Sequence, residues 1–315
     1  MGHVSFLFPG QGSQHVGMAQ DLYATSAEAR SVVDAADDLL GMSLSSLMFG
    51  SGDADQDADA LRQTEVTQPA LYVHSMAAVA VLKKFQVSFD MAAGHSLGEY
   101  SALAAAGALS FEDGLLLVRE RGRLMAEAGT QSPGAMAAII GMEDSDVEAV
   151  CRDIKGGVVE PANFNSPGQV VISGEASAVE AAMALATERG ARRAIALPVS
   201  GAFHSPLMGH ARDGLAKALE GVAITAPRCP VYLNVTAAPS RDPEEIRARL
   251  LEQLMAPVRW SQTLVAMHEA EANSFLEIGA GKVLSGLVKR TLGRAVSTST
   301  IGTSEDISAY INSIA

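Results

Sequence analysis

The order of apolar and polar positions gives a first outline of the fold. Residues 4–8 are a short apolar run cut off by Pro9-Gly10-Gln11-Gly12, the pattern of a buried strand entering a glycine-rich turn. Thr67-Gln68-Pro69 opens an Ala-, Val-, Leu- and Met-rich stretch to Phe85, with apolar residues three and four apart. This predicts a largely buried helix with the proline at its first position. Ala92-Ala93 reads as the end of another strand, and 97–106 has helical spacing. Between these segments, residues 50–59 are acidic and turn-rich. They lack the glycine and terminal glutamate offsets of an EF-hand loop, so a solvated loop is expected there.

From Ser132-Pro133 onward the rhythm shortens. Ala135–Ile140 is apolar, 144–154 helical, 158–163 and 169–173 extended, 177–189 helical and 194–199 extended. A β-α-β-β-α-β order is that of the ferredoxin-like split unit, four antiparallel strands backed by two helices. Residues 131–199 are therefore expected to form an inserted small subdomain. Helical patterns resume at 211–219 and 244–254, with strands expected at 231–235 and 274–278, so that 1–130 and 200–315 can close into one α/β body.

Composition acts by exclusion. With 23 Lys plus Arg against 36 Asp plus Glu, the formal net charge is −13. That offers no global attraction to nucleic acid or an anionic membrane, and neither is expected as a partner. Cys151 and Cys229 are the two cysteines, far apart and outside any CxxC spacing. They predict neither a disulfide framework nor a structural zinc site, and they suit a reducing compartment. The amino terminus has no basic n-region, its apolar run stops at Pro9, and no stretch reaches the roughly 18 to 20 apolar residues of a membrane span. A cytoplasmic protein is expected.

Candidate chemistry begins at Gly94-His95-Ser96-Leu97-Gly98, a G-x-S-x-G sequence between a strand and a helix. That is the context of a nucleophile elbow, where glycines clear space around a strained serine and the helix N-terminus brings backbone N–H groups beside the hydroxyl. A serine hydroxyl needs a base. Of the seven histidines, His204 lies in a turn after an expected strand, whereas His74, His210 and His268 fall in helical patterns and His3 and His15 near the terminus. His268-Glu269 lacks the second histidine of H-E-x-x-H, and Gly279–Lys282 misses the offsets of a P-loop, so neither metal nor nucleotide cofactor is expected.

Four segments together, Phe8-Pro9-Gly10-Gln11-Gly12-Ser13-Gln14, Gly94-His95-Ser96-Leu97-Gly98-Glu99, Ala202-Phe203-His204-Ser205 and Asn234-Val235-Thr236-Ala237, resemble the malonyl-CoA:acyl carrier protein transacylase family. Glu277-Ile278-Gly279 and Gly281-Lys282-Val283-Leu284 extend the resemblance almost to the end of the chain. It implies an α/β-hydrolase-like large subdomain with a ferredoxin-like insertion. It implies Ser96 as the acyl-accepting nucleophile and His204 as general base and acid, with the imidazole oriented by the backbone carbonyl of Gln253. The backbone N–H groups of Gln11 and Leu97 would form the oxyanion hole, and Arg121 would hold the malonyl carboxylate. His95 is expected to shape the site, and Asn163 and Asn165 to lie in a loop beside the cleft. Arg119 and Arg123 are expected to be solvated.

Leu97 and Phe203 resemble the malonyl-selective branch of that family rather than synthase-linked members that accept methylmalonyl units. The chain ends also resemble those of the discrete enzyme. Malonyl-CoA and an acyl carrier protein are the expected partners, with the chain a monomer. Two alternatives remain open at this level. A serine thioesterase or hydrolase would require an acid placed between Ser96 and His204, where Asp113, Asp144, Asp146 and Asp153 are the candidates. A non-catalytic carrier-protein-binding scaffold would require neither serine nor histidine.

Overall fold

Among the residues described by the computed structural model, 3–199 and 201–314, the strands collect into two sheets. Ser200, at the expected junction of the two bodies, lies outside the described residues. In chain order the strands are β1 (His3–Phe8), β2 (Met91–Gly94), β3 (Ala135–Ile140), β4 (Val159–Ser166), β5 (Gln169–Gly174), β6 (Arg193–Ala196), β7 (Val231–Tyr232), β8 (Pro239–Ser240), β9 (Ala272–Ile278) and β10 (Ser297–Ile301). The larger sheet has the order β10-β9-β1-β2-β7-β8 and is parallel except for its last pair. The smaller has the order β4-β5-β3-β6 and is antiparallel throughout.

The apolar run of β1 is explained by its central place. A parallel strand covered on both faces alternates its side chains between two cores. Phe6 and Phe8 enter the main core with residues of the Thr64–Lys84 helix, while Leu7 and Ala93 face Trp260 and Leu264 on the other side. In the smaller sheet, Ala137 and Ile139 of β3 and Val170 and Ile172 of β5 point with period two onto Val147 and Val150 of one helix and Val179 and Ala182 of the other. The two bodies are stitched by main chain. Phe164 of β4 donates its N–H to the Val258 carbonyl at 2.9 Å, and Val258 returns the bond to Ala162 at 2.9 Å.

Three local expectations are corrected. The acidic stretch at 50–59 is not all loop: Asp53 caps a helix, Ala54–Arg62, by accepting from the Gln56 N–H at 3.2 Å. Carboxylates are favoured there because they sit at the positive end of the helix. The long apolar helix starts at Thr64, where the Gln63 carbonyl accepts from Val66 and Thr67, so Pro69 falls in the second turn instead of the first position. The strand expected at 231–235 stops at Tyr232, because the Asn234 N–H is taken by the buried Glu99 side chain and not by a neighbouring strand. Among the described residues, no helix is long and apolar enough to cross a membrane.

Candidate active site

The C-terminal ends of β1 and β2 lie side by side, with Phe8 paired to Gly94, and both chains turn there. Crevices at such strand ends are where open α/β sheets place their ligands. After Gly94 the chain passes through His95 and Ser96 into the Gly98–Ala105 helix, and Ser96 has φ 51°, a left-handed conformation that costs a side-chain-bearing residue free energy. The glycines are required by crowding. A Cβ on Gly94 would collide with the Gly98 carbonyl, and one on Gly98 with the Phe8 carbonyl. Asn234 braces the turn from both sides: its Oδ1 accepts from the Ser96 N–H at 2.7 Å and its Nδ2 donates to the Gly94 carbonyl at 2.7 Å.

The hydroxyl of Ser96 has two neighbours. His204 Nε2 lies 2.8 Å from Oγ, and Arg121 Nη2 donates to Oγ at 3.0 Å. His204 also has positive φ, 58°, in a turn held by the Ser205 hydroxyl, which donates to the Ala202 carbonyl at 2.6 Å. Its Nδ1 is 2.8 Å from the backbone carbonyl of Gln253. A carbonyl can only accept, so Nδ1 carries the proton and Nε2 is left as the acceptor for the serine O–H. Burial pushes the imidazole down to about 3, with the Arg121 charge acting in the same direction, so it is neutral near pH 7.

Arg121 comes from the Phe111–Gln131 helix, which crosses the Thr64–Lys84 helix so closely that a Cβ on Gly122 would stand 2.8 Å from the Thr64 carbonyl. The guanidinium is completely buried, donates to Gln68 Oε1 and Gln253 Oε1 at 2.9 Å each, and lies 5.6 Å from the centre of the Tyr100 ring. Burial lowers its pKa, yet a guanidinium remains charged at any physiological pH. Arg119 and Arg123 stay outside this cluster. Arg119 donates to the Leu40 carbonyl, and Arg123 pairs with Glu120 and Glu127 on the surface of its own helix.

Ser96, His204, Gln253 and Arg121 therefore form one hydrogen-bonded group, with Leu97 next to the serine and Phe203 buried beside His204. The loop after β1 meets the elbow at Gly10, where a Cβ would stand 2.5 Å from the His95 carbonyl, while the Gln11 side chain turns outward and donates to Thr64 Oγ1 at 3.4 Å. His95 Nε2 is 2.8 Å from Asn165 Oδ1, and its ring centre is 5.4 Å from that of Trp260. Asn163 is buried in the junction opposite Val258, so Asn165 is the member of that pair that reaches the elbow.

Sequence reading missed Gln68, Glu99 and Asn234 as site residues, although all three are completely buried. A signal existed for Glu99: it is the acid inside the otherwise apolar and small run Leu97–Ala106, and a carboxyl is rarely buried without a partner. Among the described residues, no three His, Cys, Asp or Glu side chains converge to hold a metal ion. Chemically, the cluster combines a hydroxyl, an unprotonated imidazole to take its proton, and a buried cation beside the reacting oxygen.

A family model described as the acyl transferase domain matches residues 5–308. The chain is 44% identical to the malonyl CoA-acyl carrier protein transacylase of Bacillus subtilis (strain 168), over all of this chain and 98% of that protein. Its fold superposes with a TM-score of 0.94 on the acyl-carrier-protein-S-malonyltransferase of Bartonella henselae, 42% identical, covering 100% of this chain and 99% of the other. A malonyl-transacylase solved in complex with its type II PKS acyl-carrier protein has the same TM-score, at 39% identity and 99% coverage of both chains.

Proposed function

Because the chain belongs to the acyl transferase family of malonyl-CoA:acyl carrier protein transacylases, we propose that it moves a malonyl group from malonyl-CoA to the phosphopantetheine thiol of an acyl carrier protein by way of malonyl-Ser96. The observation that carries this reading is the position of Ser96 Oγ between His204 Nε2 and Arg121 Nη2. Oγ attacks the thioester carbonyl as its proton passes to Nε2, and the backbone N–H groups of Gln11 and Leu97 receive the negative charge on the carbonyl oxygen. The C–S bond breaks and the imidazolium returns its proton to the CoA thiolate. In the second half, His204 deprotonates the carrier thiol, the thiolate attacks the serine ester, and the proton goes back to Oγ. Gln253 keeps the imidazole in the required tautomer throughout.

Arg121 selects the acyl group, since its planar fork matches both oxygens of a carboxylate and its charge is already desolvated. Leu97 and Phe203 narrow the space near the α-carbon, where rejecting one methyl is worth about 1 to 3 kcal/mol. His95 and Asn165, bonded to each other beside the elbow, form the wall of the cleft. The larger sheet supports an α/β-hydrolase-like body, and the strand order β4-β5-β3-β6 supports a ferredoxin-like insertion between 1–130 and 200–315. The chain acts as a cytoplasmic monomer in fatty acid or polyketide synthesis. Hydrolysis is the weaker reading because His204 Nδ1 faces a neutral carbonyl, while Asp153 pairs with Arg189 and Asp113 sits in the first turn of its helix. The test is intact-mass analysis: wild type mixed with malonyl-CoA should carry one malonyl group and surrender it to holo acyl carrier protein faster than to water. Ser96→Ala should carry none, and an adduct formed at wild-type rate on that variant would overturn the assignment.

A further inference from the structure

Glu99 occupies a place in the cluster that the transfer steps do not use. It is completely buried in the first turn of the Gly98–Ala105 helix. Its Oε2 accepts from the Asn234 N–H at 2.8 Å and from Gln253 Nε2 at 3.0 Å, whereas Oε1 has no hydrogen-bond partner. The Gln253 amide thus spans two opposite charges. Its Nε2 faces Glu99 and also donates to the Ser96 carbonyl at 3.1 Å, while its Oε1 accepts from Arg121. Only this orientation presents an acceptor to the guanidinium and a donor to the carboxylate; the reversed amide would set like poles against both.

The surroundings of Glu99 also bear on its charge. Arg121 faces it from the Phe111–Gln131 helix and Tyr100 from its own helix, while Asn234 and Gln253 contribute neutral donors. The neutral His204 ring bonds to the backbone carbonyl of Gln253, while Glu99 meets the Gln253 side chain. Burial pushes the carboxyl up to about 7, against the opposing pull of the two donors and Arg121. Arg121 itself donates to three neutral side chains, and Glu99, reached through the Gln253 amide, is the carboxyl whose charge acts on it in the free enzyme.

We propose that Glu99 is a positioning residue that holds Arg121 in place through Gln253, and that it takes up a proton from solvent when a substrate carboxylate pairs with Arg121. The inference rests on the malonyl-loading reading. Two carboxylates then share one buried cation, and like charges in a desolvated site do not both stay ionised. The one in direct contact with the guanidinium keeps its charge, and Glu99, which touches it only through an amide, gives its charge up at the unpartnered Oε1.

Proton uptake can be counted by titrating malonyl-CoA or acetyl-CoA into Ser96→Ala protein by calorimetry, between pH 6.5 and 8.5, in buffers of different ionisation enthalpy. Malonyl-CoA should take up a fraction of a proton that acetyl-CoA does not. Its affinity should weaken as pH rises, by at most about tenfold per pH unit. Ser96→Ala/Glu99→Gln, which keeps the shape and an acceptor oxygen, should bind malonyl-CoA without the uptake and with little pH dependence. Equal uptake for both CoA esters, or uptake that survives Glu99→Gln, overturns the proposal. Should Glu99→Gln fail to fold, the malonyl versus acetyl difference still decides. Failure of the underlying reading shows separately, as absence of a malonyl adduct on the wild-type protein.

Discussion

At the residue scale, the most informative side chain is Arg121. A fully buried guanidinium is costly unless every N–H finds an acceptor, and here Gln68, Ser96 and Gln253 supply three while Nε has none. In the proposed transfer, this is the cation that receives the malonyl carboxylate. Removing one partner of such a buried pair costs on the order of 2 to 5 kcal/mol, or roughly 30-fold to several thousand-fold. Arg121→Ala should therefore depress malonyl loading by that factor and spare acetyl loading, which has no carboxylate to satisfy. Arg121→Lys should recover part of the loss, because an ammonium supplies charge without the fork. The ratio of malonyl to acetyl kcat/KM on folded protein is the measurement, and an unchanged ratio would assign the carboxylate to another residue.

At the element scale, the site depends on how closely a strand, a turn and a helix can approach. The helix after Ser96 runs hard against the end of β1, and the space for it exists because Gly98 has no Cβ. Asn234, from the irregular segment after β7, ties the Ser96 N–H to the Gly94 carbonyl and so fixes the strained turn between them. Gly98→Ala would push the helix off the Phe8 carbonyl. Overpacking of this kind costs about 1 to 3 kcal/mol of stability, and a displacement near 1 Å at a nucleophile can cost about 100-fold in rate. The expected outcome is a protein that still melts cooperatively at a lower temperature, with malonyl loading reduced far more than stability. A variant with loading near wild type would show that the turn tolerates the shift.

At the scale of the whole molecule, the two bodies meet along β4 and bring distant basic residues to one side. Arg290 donates to Gln169 at the start of β5, the Gly141 N–H donates to the Gly168 carbonyl, and Gly141 lies against Arg192, so Arg192 and Arg290, with Arg193 and Lys289 next to them in the chain, come near the same turns at one end of the smaller sheet. All four are exposed. Against a net charge of −13, this local positive strip is where an acidic carrier protein would meet the least repulsion. Reversing the charge of Arg192 and Arg290 together should raise the carrier-protein KM, more at low salt than at high, and leave malonyl-CoA loading near wild type. Carrier kinetics that do not respond would remove the strip from the docking surface.

The sequence alone determined what depends on local chemistry. Periodicity placed β1, β3 and β5 and the long apolar helix, because burial on one or two faces leaves a pattern of period two or about 3.6. Residue type and context placed the elbow, because G-x-S-x-G falls between an expected strand and an expected helix, and the resemblance carried by the ordered motifs pointed to Ser96, His204 and Arg121 together. The capped helix at Ala54–Arg62 was hidden because its acidic residues read equally well as solvated loop. What only the tertiary structure decided is the set of contacts between residues far apart in the chain. The roles of Gln68, Glu99 and Asn234 arise from hydrogen bonds spanning 53, 154 and 138 positions, which leave no local periodicity. The short end of β7 belongs with them: Asn234 has the apolar neighbours of a strand, and a buried carboxylate on another helix draws its N–H out of the sheet.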